Sequence, residues 1–147
     1  NTPGPYTPDY TFNAIATTKG ISIAQFPASL EGTSYWISLE HRNHISTWSA
    51  NPVTLQEYTT YDFSNASNKA YGSNMKEVST GVWASFSGDI NQDENVDLLD
   101  LSILDSSISN FDFGYVSTDI NGDNNVDLLD NPIIEENINQ FIFSVHP

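Results

Sequence analysis

The fold is decided by two similar stretches, Asp89-Ile90-Asn91-Gln92-Asp93-Glu94-Asn95-Val96-Asp97-Leu98-Leu99-Asp100 and Asp119-Ile120-Asn121-Gly122-Asp123-Asn124-Asn125-Val126-Asp127-Leu128-Leu129-Asp130. Their first residues, 89 and 119, are 30 positions apart, and each stretch leads into an apolar run with helical spacing. A pattern repeated at a fixed interval indicates one structural unit that is present twice. The sequence therefore predicts two consecutive loop-and-helix units.

Both stretches carry oxygen-bearing side chains at loop positions 1, 3, 5, 9 and 12. This is the spacing of an EF-hand calcium loop, in which alternate residues point inward and position 7 adds a backbone carbonyl. The alternative is a duplicated acidic turn without a metal, but two copies in register favour calcium. We expect two Ca²⁺ ions, bound in the first loop by Asp89, Asn91, Asp93, Asn95, Asp97 and Asp100, and in the second by Asp119, Asn121, Asp123, Asn125, Asp127 and Asp130.

The two loops depart from the usual EF-hand pattern at positions 6 and 12. Position 6 is normally Gly because the turn requires a positive φ, whereas Glu94 and Asn124 stand there. Asn tolerates that conformation better than Glu, so loop one is expected to bind calcium more weakly, by ~1 kcal/mol, or to turn differently. Position 12 is Asp rather than the longer Glu, which requires a slightly displaced helix. Val96 and Val126 at position 8 suit a short strand that pairs the two loops.

Two loop-and-helix units that lack entering helices and have Asp at position 12 resemble a dockerin module. The resemblance extends upstream to Gly32-Thr33-Ser34-Tyr35-Trp36-Ile37, His41-Arg42-Asn43-His44-Ile45-Ser46-Thr47-Trp48-Ser49, Ala70-Tyr71-Gly72-Ser73-Asn74, Gly81-Val82-Trp83 and Ser87-Gly88-Asp89. This order of motifs resembles a β-sandwich plus dockerin-like unit near the C-terminus of large secreted or surface proteins of environmental bacteria. The resemblance covers roughly residues 20–147 and implies an extracellular or cell-surface location, but no reaction.

Composition narrows the class of protein further. The chain has 147 residues, 38% of them hydrophobic and 12% aromatic, which is enough for a packed core, and it has no Cys. Residues 88–147 contain thirteen acidic residues and no Lys or Arg, so nucleic acid and anionic lipid are not expected as partners. No apolar run approaches the ~20 residues that a membrane span requires, so we expect no membrane-spanning helix.

We expect an α+β chain with three parts. Residues 1–9 form an extended Pro-rich arm held against a partner, 10–87 a small all-β sandwich of immunoglobulin or transthyretin type, and 88–147 the dockerin-like calcium-binding domain. Strands are predicted at Tyr10–Thr17, Ile21–Phe26, Tyr35–His41, Thr54–Phe63 and Val82–Phe86. The first helix should end at Asn110, the second should have Pro132 near its start, and 141–147 should form a strand or docking segment.

Signals for catalysis are weak, and we expect no enzymatic activity. The loop carboxylates are explained by ligand spacing, and no catalytic triad, phosphate loop or zinc motif is present. The sequence His41-Arg42-Asn43-His44 is interpreted as a strand end or turn rather than a metal or catalytic site. The three tryptophans could stack on a glycan, although packing in the β-domain is the more usual role. These are Trp36, Trp48 and Trp83.

Two classes of function remain. The first is a calcium-rigidified structural subunit that assembles with its own copies into a surface layer or filament. In it the alternating stretch Tyr10-Thr11-Phe12-Asn13-Ala14-Ile15 forms a strand that completes a neighbour's sheet, with Tyr10, Phe12 and Ile15 as the partner-binding residues. The second is an adaptor that binds a glycan or a cohesin-like protein. The resemblance to dockerins implies that loop positions 10 and 11 face the cohesin, whereas the favoured alternative is that they bury the helices. These positions are Leu98, Leu99, Leu128 and Leu129.

Overall fold

The computed structural model describes residues 8–17 and 20–147 and has mixed α+β structure. The predicted α+β class is therefore confirmed. The strands are β1 (Ser34–Tyr35), β2 (Ser38–His41), β3 (His44–Trp48), β4 (Val53–Thr54), β5 (Lys76–Ser79) and β6 (Val82–Ala84). The helices are α1 (Leu98–Asn110) and α2 (Asn131–Asn139), and short 3₁₀ turns cover Ala28–Leu30, Ser67–Lys69 and Tyr71–Ser73.

The described strands form three separate antiparallel pairs, β1 with β4, β2 with β3 and β5 with β6. On its other side β3 is joined to the chain after β6, where Ile45 N donates to Phe86 O at 3.1 Å. These pairs are shorter than the five predicted runs: from Thr54–Phe63 only Thr54 lies in a strand. The two facing sheets of a sandwich are not evident among the described residues, so the sandwich stays a prediction.

The N-terminal part of the chain contains no strand among its described residues, so the predicted strands Tyr10–Thr17 and Ile21–Phe26 are wrong as secondary structure. The two segments still turn back on one another, because Thr17 N donates to Ile21 O at 2.9 Å and the Phe12 and Phe26 rings lie 6.4 Å apart. Backbone pairing is therefore limited to the turn. Of the predicted arm 1–9, residues 1–7 lie outside the described part of the chain.

Helix α1 begins where two loop carboxylates cap it, whereas α2 has no side-chain cap. The Asp97 carboxylate accepts from Leu99 N at 2.7 Å, and the Asp100 carboxylate accepts from Asp97 N at 3.0 Å. This reciprocal arrangement satisfies N–H groups that a helix start leaves unpaired. In α2, Pro132 lies in the first turn as predicted, and α1 ends at the predicted Asn110.

One hydrophobic core joins the predicted β-domain to the two repeats. Ile45 of β3, Leu104 of α1 and Ile134 of α2 are fully buried in it. The remaining buried members are Phe86, Ile90, Val96 and Val126. Because this cluster lies on both sides of the predicted boundary at residues 87 and 88, the two parts bury each other's apolar surface.

Each loop pairs with the segment that follows the helix of the other repeat. Val96 N donates to Ile142 O at 2.9 Å, and at the equivalent place Val126 N donates to Asp112 O at 3.3 Å. The expectation that Val96 and Val126 pair the loops directly with each other is therefore wrong. The tail after α2 instead holds loop one against the β-region, since Ser144 N donates to Glu94 O and Ser144 Oγ to Ser46 O, both at 2.7 Å. This agrees with a docking role for 141–147.

Candidate metal centre

The two predicted calcium loops have the same backbone shape. Position 6 is left-handed in both, with φ of 74° at Glu94 and 69° at Asn124. Position 4 is left-handed as well, with φ of 60° at Gln92 and 80° at Gly122. The alternative that Glu94 makes loop one turn differently is therefore wrong, and this glutamate occupies a conformation that costs a side chain about 1 kcal/mol.

The first and last predicted ligands of each loop are buried carboxylates. Asp89, Asp100, Asp119 and Asp130 are 2%, 0%, 1% and 0% exposed. Their oxygens accept from backbone N–H groups of their own loop. Asp100 Oδ1 accepts from Ile90 N at 2.8 Å and Asn91 N at 3.0 Å, and Asp130 Oδ1 accepts at the same two distances from the equivalent residues of the second loop.

The ligands between these ends lie at the solvent side of each loop. Asn91 Oδ1 accepts from Asp93 N at 3.0 Å, and Asp93 Oδ1 accepts from Asn95 N at 3.0 Å. The corresponding distances among Asn121, Asp123 and Asn125 are both 2.8 Å. At position 9, Asp127 Oδ1 accepts from Leu129 N, as Asp97 accepts from Leu99. The side chains at positions 3, 5, 9 and 12 therefore accept from equivalent backbone N–H groups in both repeats, whereas Asp89 Oδ1 accepts from Asp93 N at position 5 and Asp119 Oδ1 from Gly122 N at position 4.

Burial of acidic groups is electrostatically unfavourable in loop one. Burial raises the pKa of the Asp89 carboxyl to about 6, and the charges of Asp100 and Asp93 also raise it, while backbone N–H groups of Glu94 and Asp93 act in the opposite direction. Asp119, at the same position of loop two, has Arg42 Nη2 at 3.6 Å from its Oδ2 atom. The two loops thus share a backbone but differ in neighbouring charge.

The donor set suits a hard cation. Carboxylate, amide and carbonyl oxygens are the ligands that Ca²⁺ prefers, and neither loop offers a nitrogen or sulfur ligand. Within residues 8–17 and 20–147, no three His, Cys, Asp or Glu side chains form a group ready to hold a metal. The carboxylates of each loop instead accept hydrogen bonds from backbone N–H groups.

The leucines at loop positions 10 and 11 face solvent. Leu98, Leu99, Leu128 and Leu129 are 68%, 62%, 70% and 65% exposed. The favoured expectation that they bury the helices against the β-domain is wrong, because Leu104 and Ile134 perform that role. The predicted partner-binding residues of the N-terminal part are exposed too: Ile15 by 94%, Tyr10 by 47% and Phe12 by 43%.

His41 and His44 end β2 and begin β3, which confirms the interpretation of this motif as a strand end and turn. Their rings lie 4.4 Å apart. Burial lowers the pKa of His44 to about 4, and the neighbouring His41 and Arg42 lower it as well. The tryptophans do not gather into one described ring cluster: Trp36 contacts Tyr71, with ring centroids 5.5 Å apart, and Trp48 contacts His146 at 5.7 Å.

Sequence reasoning missed the role of the turn between β2 and β3. Asn43 is 1% exposed; its carbonyl accepts from Gly88 N at 2.7 Å, and its Nδ2 donates to Asp119 O at 3.1 Å. This one residue therefore contacts the start of both loops. The available signal was weak: Arg42 is the only Lys or Arg between Lys19 and Lys69 in an otherwise acidic chain.

No protein family, curated protein or solved structure matches this chain. In the described part of the chain, neither helix has the length and apolar character needed to cross a membrane.

Proposed function

We propose that this protein is a non-enzymatic structural module held together by two calcium ions. The observation that carries the proposal is the pair of buried carboxylates, Asp89 with Asp100 and Asp119 with Asp130, at both ends of two loops with the same backbone. Burying a carboxylate without a compensating cation is costly. Calcium supplies that positive charge when bound, and the residues that hold it are the twelve named ligands.

The proposed ion would link folding of the loops to folding of the shared core. Val96 and Val126 lie within the loops and also belong to the core cluster around Leu104 and Ile134. Without the ion, repulsion among the loop carboxylates would therefore displace Val96 and Val126, which the core needs. Calcium binding to the folded chain but not to the unfolded chain should raise stability by about 2.7 kcal/mol for each site at one hundred times its dissociation constant.

Calorimetry tests calcium binding directly. Chelator-treated protein should bind two Ca²⁺ per chain, and scanning calorimetry should show a lower melting temperature in chelator than in calcium. Combining Asp93→Ala with Asp123→Ala, both at exposed position 5, should remove most of this difference. Equal melting curves with and without calcium, together with no heat of binding, would exclude the proposal.

We further propose that the module assembles with copies of itself. Residues 10–30 contain Lys19 and no acidic residue, whereas the whole chain has a net charge of −15. Within this segment Ile15, Ile21 and Ile23 are 94%, 57% and 77% exposed. An exposed apolar segment with complementary charge can add to the sheet edge of a neighbouring, acidic copy. Such a head-to-tail contact does not close and produces filaments or layers.

Electron microscopy and sedimentation test the assembly. The parent protein should form large particles in calcium, fewer in chelator, and none after deletion of residues 1–9 combined with Ile15→Asp. Tyr58→Asp adds the same charge at a side chain that is 86% exposed outside the segment, and should leave assembly unchanged. A parent that stays monomeric at high concentration with calcium contradicts this part of the proposal.

The exposed leucines support a second candidate, an adaptor that binds a cohesin-like protein in the manner that the resemblance to dockerins implies. A monomeric parent that captures a cohesin, and loses it when Leu99 and Leu129 are both changed to Asp, would favour the adaptor. A glycan-binding adaptor would instead show binding on a glycan array that depends on Trp36. All three proposed functions place the module outside the cell. They also share the proposed architecture, a β-sandwich followed by a dockerin-like domain.

A further inference from the structure

The carbonyl of the first ligand residue is held differently in the two loops. In loop one, the position 4 side chain turns back so that Gln92 Nε2 donates to Asp89 O at 2.6 Å. In loop two, position 4 is Gly122 and has no side chain to do this. Asp119 O instead accepts from two residues of the turn between β2 and β3, Arg42 Nη2 at 2.9 Å and Asn43 Nδ2 at 3.1 Å.

Arg42 is held firmly in this position. Its Nε donates to Val116 O at 2.8 Å, and its guanidinium carbon lies 4.0 Å from the centre of the Tyr115 ring. The side chain is 19% exposed, and its Nη2 is 3.6 Å from Asp119 Oδ2. A planar guanidinium suits such a site because it donates several hydrogen bonds while stacking on an aromatic ring. Among the residues that the structure describes, a Lys or Arg charge therefore lies beside the first ligand of loop two and not beside that of loop one.

We propose that Arg42 is a positioning residue of the second calcium loop, which holds Asp119 in place and at the same time lowers the calcium affinity of that loop. This inference rests on the proposed calcium binding. The hydrogen bonds of Arg42 order the loop, but its charge repels a dication that approaches the same carboxylate, and partial burial limits screening of that repulsion. In loop one the equivalent carbonyl is held by an uncharged amide, so no such repulsion acts there.

Three substitutions, each made in two backgrounds, separate the loops. Asp93→Ala leaves loop two as the site under study, and Asp123→Ala leaves loop one. Adding Arg42→Gln, which keeps an N–H donor and removes the charge, should raise calcium affinity about tenfold in the Asp93→Ala background and less than twofold in the other. The gain should shrink at high salt. Arg42→Lys should keep the low affinity because it keeps the charge, and Lys76→Gln should have no effect in either background.

The outcomes distinguish this inference from the proposed function. A parent that binds no calcium overturns both. A parent that binds two ions, with an affinity in the Asp93→Ala background that Arg42→Gln leaves unchanged or lowers, overturns only the role of Arg42. An equal rise in both backgrounds also overturns it, because it would show a general charge effect.

A measurement on the unsubstituted Arg42 covers the case in which Arg42→Gln does not fold. The Nε–H group donates to Val116 O, so its NMR signal reports on the contact between Arg42 and loop two. In Asp93→Ala protein this signal should move as calcium fills loop two, and in Asp123→Ala protein it should stay. A signal that remains unchanged through calcium saturation in the Asp93→Ala protein overturns the inference.

Discussion

The substitution Asp89→Asn should have opposite effects on stability with and without calcium. Asp89 is 2% exposed, and burial raises its pKa from 3.8 to about 6. A carboxyl whose pKa is higher in the folded state contributes stability below the unfolded pKa and loses it as the pH rises through about 6. At pH 7 in chelator the ionised Asp89 therefore destabilises the folded state, and the uncharged Asn removes that cost.

The expected size follows from the pKa. The difference between 3.8 and about 6 corresponds to about 3 kcal/mol at pH 7. Asn offers one acceptor where Asp89 Oδ1 and Oδ2 accept from Asp93 N and Glu94 N, so about 1 kcal/mol is lost with one hydrogen bond. In chelator, Asp89→Asn should raise the free energy of unfolding by about 2 kcal/mol at pH 7, and by less at pH 5.

In calcium the same substitution should destabilise the protein, because an amide at position 1 weakens calcium binding, and that binding stabilises the fold. Urea unfolding at pH 7, with and without calcium, measures both effects. Asp105→Asn, which removes an exposed acid of α1 outside the loops, should change neither value appreciably. If Asp89→Asn lowered stability equally in calcium and in chelator, the buried carboxylate would be a structural cap and not a calcium ligand.

Three further predictions concern the residues around the loops. His44 has a pKa lowered from 6.5 to about 4, so in metal-free buffer its own contribution to stability should fall by at most about 3 kcal/mol as the pH drops from about 6.5 to 4, which opposes the gain from Asp89 in the same range. Urea unfolding of His44→Gln should therefore show a larger gain in stability on acidification than the parent shows, and an unchanged pH dependence would contradict the role of His44. Gly88→Ala places a Cβ 2.8 Å from Val96 Cγ1 at a φ of +114° and should cost about 2 to 3 kcal/mol in urea unfolding, whereas Gly81→Ala, with nothing within 4 Å, should cost about 1 kcal/mol. Glu94→Gly should raise the calcium affinity of loop one by a factor corresponding to ~1 kcal/mol, because it relieves the left-handed strain at position 6. Calcium titration in the Asp123→Ala background measures this, and an unchanged or lower affinity would show that the strain does not affect binding.

The loops and helices could be predicted because their determinants are close together in the chain. Asp97 and Asp100 cap α1 from within three residues, and the turn at Glu94 is fixed by the same twelve-residue loop. The β-region was predicted less well. The alternation in Tyr10–Thr17 predicted a strand that the structure does not have, because strand formation depends on a partner that alternation does not specify. The leucines at positions 10 and 11 show a related failure, since an apolar residue in a helical stripe does not reveal how far the packed face extends.

The sequence alone was enough to predict the two loop-and-helix units and their oxygen-bearing side chains, because these depend on residues a few positions apart. The tertiary structure decided how the loops differ. Arg42 meets Asp119 across 77 positions of the chain, and Ser144 meets Ser46 across 98. No local pattern encodes such contacts, because they form only when the shared core around Leu104 and Ile134 brings the β2–β3 turn and the C-terminal tail onto the two loops.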